Sequence, residues 1–129
     1  MISSILFVVG AVALIAFLAV TVTSKNVQAP APIALPIAAF VVFSVISVRA
    51  VVTEGFPQLL ADHTRGPWST QVWFDLLLAS SIAWSALLPR ARRVGMHGAP
   101  WAIALVLTGS LALLPMLARI LYLEARQRP

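Results

Sequence analysis

The chain has 129 residues, 60% of them hydrophobic and 10% charged, with a formal net charge of +5 and a mean hydropathy of +0.96. Soluble domains carry about a quarter charged residues, so the composition fits neither a soluble globular fold nor a disordered chain. The chain contains no cysteine, which excludes disulfide frameworks, thiolate metal sites, iron–sulfur clusters and dithiol redox chemistry.

What remains is an integral membrane protein. A bilayer core requires about 20 consecutive apolar residues in a helix, and four stretches meet that length. The expected fold is therefore all-α: a single domain over residues 1–129, built as a bundle of four transmembrane helices spanning about 2–22, 33–52, 68–88 and 101–123. The first span carries no charge. Its length and the lack of a basic leader segment read as a membrane helix rather than a signal peptide. Ser24 to Pro32, with Pro30 and Pro32, reads as a stiff extended connection. The second span is interrupted only by Arg49. Glu54 to Pro67, punctuated by Gly55, Pro57, Gly66 and Pro67, reads as the longest loop. The third span contains Asp75. Pro89 to Pro100 reads as a tight basic hairpin carrying Arg90, Arg92, Arg93 and His97. The fourth span contains Arg119 and Pro115, and the proline frees the Leu111 carbonyl and predicts a kink. Trp68, Trp73, Trp101 and Tyr122 fall at or near span ends, where amphipathic rings anchor helices at the headgroups.

Ionisable groups inside spans are costly, at about 2.5–3.5 kcal/mol each even on lenient insertion scales. A four-span topology places Arg49, Asp75 and Arg119 in one leaflet, beneath a cap of Glu54, Asp62, His63, Arg65 and Glu124. Asp75 is then expected to pair with Arg49, Arg119 or both, and Gln71, one turn above it, adds a hydrogen bond. Two readings follow: a structural staple that sets helix register, or a functional group that anchors the polar head of a lipophilic ligand or moves a proton. Ser81 and Ser85 read as close-packing positions. Arg90, Arg92 and Arg93 set topology or dock an acidic partner. By the positive-inside rule the hairpin faces the cytoplasm and both termini lie outside, in a bacterial inner membrane. The net charge needs no nucleic acid to explain it.

Several chemistries lack their residues. The two histidines, His63 and His97, lie in loops rather than facing spans, so bis-histidine haem ligation fails. No Walker-type loop, Ser/His/Asp set or metal-ligand cluster is present. The small multidrug-resistance exporters share this length and span count, but their coupling glutamate lies in the first helix, which here holds no acid.

Residues 56–126 resemble a family of small four-helix bacterial membrane proteins catalogued as a domain of unknown function. The resemblance rests on Trp73-Phe74-Asp75-Leu76-Leu77-Leu78, on the basic stretch Arg90 to Arg93, and on Leu114-Pro115 followed by Tyr122-Leu123-Glu124. The gap from Pro115 to Tyr122 is about one turn longer than the family pattern, and Arg119 falls within it. The resemblance implies a four-helix membrane fold and no activity.

The functional expectation is a non-enzymatic accessory or structural subunit that packs in the bilayer with other membrane subunits, in a respiratory or photosynthetic host, or as a homo-oligomer. The alternative is a protein that binds or converts an isoprenoid-like ligand at the Arg49–Asp75–Arg119 cluster. A homodimeric transporter ranks third. No cofactor is specified by the residues, although a bound lipid, pigment or quinone is compatible with them.

Overall fold

The computed structural model describes residues 2–23 and 33–127. The connection from Ser24 to Pro32 and the end of the basic tail therefore lie outside the described residues. Every described element is helical: α1 (Ile2–Thr23), α2 (Ala34–Glu54), α3 (Phe56–Thr64), α4 (Pro67–Arg93), α5 (Gly98–Thr108) and α6 (Ser110–Arg126). The chain divides into two compact units, residues 1–30 and 31–129. Among the described residues the first holds α1, an uncharged helix of 22 residues. The second holds the remaining helices. Two of these, α2 with 21 residues and α4 with 27, are long and apolar enough to cross a membrane.

The segment expected as a loop from Glu54 to Pro67 is largely helix α3. Gly55 and Gly66 stop the helices on either side, and Pro57 occupies the first turn of α3, where its missing N–H is no loss. Inside α3 the Gln58 Nε2 donates to Asp62 Oδ1 at 2.9 Å. Arg65 pairs with Asp62 at 3.2 Å.

The expected basic hairpin is also mostly helix. Helix α4 runs through Pro89 to Arg93, so Arg90, Arg92 and Arg93 form its last turn. Cations there are favoured by the unpaired carbonyls at a helix C-terminus. The helix closes with Met96 N–H donating to Ala91 O at 2.9 Å and Gly95 N–H to Arg92 O at 3.1 Å. This is a Schellman closure, which needs a left-handed residue next to last, and Gly95 supplies it at φ 77°. Ala91 and Met96, the two residues such a closure brings together, belong to one buried cluster.

The largest departure lies in the expected fourth span. Residues 101–123 are not one helix: α5 ends at Thr108 and α6 begins at Ser110, with Gly109 between them at φ 61°, ψ −141°. A side chain is strongly disfavoured in that region of backbone space. The break therefore sits at the glycine, and Pro115 is accommodated inside α6. Helix α6 folds back along α5 and also packs against α4 and α2. Its return is long enough to bring Glu124 to Arg90.

Helix α6 is thus the centre of this unit. It contributes Ala112, Met116, Ala118, Ile120 and Leu121 to the buried set, and Met116 and Ile120 are fully covered. With Ala91 and Met96, Met116 and Ile120 form a core against which Trp84, Leu87, Val94, Trp101 and Leu123 pack. The core lies at the end where α4 stops. Trp101, expected as an interfacial anchor, is half-buried against it.

Candidate functional site

The polar residues of the second unit sort to its ends and outer surface. At the end where α4 and α6 both finish, Arg90 grips Glu124 through two parallel bonds: Nε to Oε1 at 3.0 Å and Nη2 to Oε2 at 2.7 Å. The two side chains are only 33% and 29% exposed. This fork-to-fork geometry is the strongest arrangement open to a guanidinium and a carboxylate. It locks the end of α6 to the end of α4. Glu124 therefore leaves the cap in which Glu54, Asp62 and Arg65 remain, because the turn at Gly109 returns α6 to its starting end.

The same turn separates the expected cluster. Asp75 lies fifteen residues before Arg90, about 22 Å of helix, whereas Arg119 lies five residues before Glu124, about 7.5 Å. Among the described residues no ion pair joins Asp75 to Arg49 or Arg119. Helices α2 and α4, which carry Arg49 and Asp75, share no close backbone contact because α6 runs between them. Arg49, Gln71, Asp75 and Arg119 are all exposed.

Helical phase shows what surrounds each of these groups. At 100° per residue, Asp75 shares one stripe of α4 with Trp68, Gln71, Leu78 and Ile82. All are exposed, Trp68 at 79% and Ile82 at 71%. This stripe is apolar apart from one carboxylate and one amide near its middle. Arg49 lies likewise on an outward stripe of α2 with Val42, Val45 and Val52. Two hydroxyls of α4 turn onto their own backbone: Ser81 Oγ donates to Leu77 O and Ser85 Oγ to Ser81 O, each at 2.8 Å. Both serines are exposed, so no described helix of this chain packs closely on them.

On α6 the face left open by α2, α4 and α5 carries Arg119, Tyr122 and Arg126. All three are exposed, and they are spaced i, i+3, i+7. The Arg126 guanidinium lies over the Tyr122 ring, 5.6 Å from its centroid, within the range of a cation–π contact. That spacing is visible in the sequence; its exposure is not, because it depends on which side of α6 its neighbours take. Nor was the Arg90–Glu124 bridge expected. The signal that points to it is Gly109 flanked by Thr108 and Ser110, a helix-breaking triplet in an apolar run.

Arg92 and Arg93 are exposed at the same end as Arg126. Among the described residues that end holds Arg90, Arg92, Arg93 and Arg126 against Glu124. The opposite end holds Arg49 and Arg65 against Glu54 and Asp62. Charges of +3 and zero follow. Among the described residues no group of three His, Cys, Asp or Glu side chains is placed to hold a metal ion. A shallow recess lined by Asp62, Trp68, Ser69 and Val72 lies where α3 meets α4, and its carboxylate is already engaged by Gln58 and Arg65. Comparison of the chain with protein-family models, with curated proteins and with solved structures finds no match.

Proposed function

We propose that the protein is a small non-enzymatic integral membrane subunit that packs against another membrane protein through the outward stripe of α4. The observation that carries this reading is Asp75: a carboxylate beside Gln71 on an exposed, mostly apolar stripe of a helix long enough to span a bilayer, with no ion-pair partner among the described residues. Facing lipid, such a group costs about 2.5–3.5 kcal/mol. A neighbouring subunit that offers a donor to Asp75 and Gln71, and apolar side chains to Leu78 and Ile82, removes the cost. The exposed valines of α2 and the exposed Ile103, Val106 and Leu107 of α5 support the membrane setting, since a surface this apolar would aggregate in water.

In this reading α1, α2 and α4 cross the bilayer of a bacterial inner membrane. The α5–α6 hairpin enters from the side where α4 ends and returns to it, in place of the fourth crossing of a simple bundle. The end with charge +3 then faces the cytoplasm, by the preference of Lys and Arg for that side. The Arg90–Arg93 stretch remains cytoplasmic, as its sequence suggests, and the end of α6 joins it there. The similarity of residues 56–126 to the four-helix family belongs to this proposal and adds no activity.

The test is the native mass of the protein extracted gently from its own membrane. Migration with a larger assembly, lost in Asp75→Asn, supports the reading. A wild-type protein that migrates as a single copy overturns it. One that migrates as a dimer makes the partner of α4 a second copy of this chain.

A further inference from the structure

We propose that the open stripe of α6, formed by Arg119, Tyr122 and Arg126, binds the phosphate headgroup of an anionic phospholipid. The inference rests on the membrane reading given above and concerns a different face of the molecule from the α4 stripe. Three of the sides of α6 are covered, by α2, α4 and α5, and the uncovered side concentrates two guanidiniums seven residues apart. Neither makes an ion pair with a carboxylate among the described residues.

The chemistry of these groups selects the occupant. A guanidinium presents paired N–H donors that match phosphate oxygens. Seven residues of helix put Arg119 about 10 Å deeper than Arg126, so the stripe reaches from the helix end toward the apolar region. A soluble anion needs no such depth. A phospholipid fits it, because its phosphate lies at the helix end, where Arg126 stands and toward which the long Arg119 side chain snorkels, while its chains continue down the molecule. Tyr122, half exposed between the arginines, has the amphipathic ring that favours the headgroup level and holds Arg126 by its face. Arg92 and Arg93 add positive potential at the same end, and an anionic leaflet complements it.

The test uses the full chain in detergent, with phosphatidylglycerol, phosphatidylcholine or inorganic phosphate added and retained molecules counted by native mass spectrometry. The expected result is retention of phosphatidylglycerol in preference to phosphatidylcholine. The Arg119→Gln/Arg126→Gln double variant should weaken that preference about 25-fold, at about fivefold per arginine. Arg119→Lys/Arg126→Lys, which keeps the charge and loses the paired donors, should weaken it less than the Gln pair but measurably, and Arg92→Gln/Arg93→Gln should reduce it less than the α6 pair does. Because Arg119 and Arg126 are exposed, helical content measured by circular dichroism should not change. Equal retention of the two lipids, or a preference that survives loss of both α6 arginines, overturns the proposal. Retention of inorganic phosphate as tight as that of the lipid also overturns it, since the site would then read the anion alone. Release of the protein from membranes by alkaline carbonate refutes the membrane reading itself. Resistance to carbonate without lipid preference refutes only this inference.

Discussion

Gly109 is the residue on which the architecture of the second half turns, and its replacement gives the sharpest test. At φ 61°, ψ −141° a side chain strains the backbone by about 1–3 kcal/mol. A Cβ built there meets no atom within 4 Å, so Gly109→Ala probes backbone strain without steric collision. The strain has an outlet: residues 98–126 can join into one straight helix. That outlet breaks the Arg90–Glu124 bridge, worth about 1 kcal/mol at this partial exposure, and uncovers Met116 and Ile120. The two arrangements differ in a measurable length. Ala99 and Ala125, both exposed, are 26 residues apart, or about 39 Å along a continuous helix. In the hairpin they lie at one end, within roughly 15 Å, less than two interhelical spacings. The chain has no native cysteine, so spin labels at these two positions report one distance by pulsed electron paramagnetic resonance. The wild-type sequence should give the short distance, and Gly109→Ala should lower the thermal midpoint and add a longer component. A wild-type distance near 39 Å, with a midpoint indifferent to Gly109→Ala, refutes the hairpin and everything derived from it.

Four further outcomes follow from the packing and the ion pairs. Ile120→Ala, at a fully covered position, should cost about 2–5 kcal/mol. Val106→Ala, at 85% exposure, should stay within about 0.5 kcal/mol; equal losses in detergent unfolding would show that the core lies elsewhere. Glu124→Gln should cost about 1 kcal/mol, and a double-mutant cycle with Arg90→Gln should recover most of that as coupling; zero coupling would dissolve the bridge. Asp75→Asn should leave the stability of the isolated chain within about 0.5 kcal/mol, since no ion pair is lost. A large drop in unfolding midpoint would instead restore an internal staple. Gly95→Ala should cost about 1–2 kcal/mol, because the Schellman closure needs its left-handed backbone, and an unchanged midpoint would argue against that closure.

The helical class and the approximate place of the long apolar helices were legible in the sequence, because they depend on composition and on run length alone. Local chemistry was legible in part: Gly55 and Gly66 read as helix breakers, whereas the break at Gly109 was expected only as a kink at Pro115. What the linear reading missed depends on direction. A run of apolar residues from Trp101 to Leu123 has the length of one span, and periodicity does not tell a straight helix from one that doubles back at a glycine. That single reversal moved Glu124 to Arg90 and carried Arg119 away from Asp75. It also gathered Arg90, Arg92, Arg93 and Arg126 with Glu124 at one end, which among the described residues leaves +3 there against zero at the other. Residue spacing sets which side chains share a face of one helix; which helices face each other, and which charges therefore meet, is decided only when the chain closes on itself.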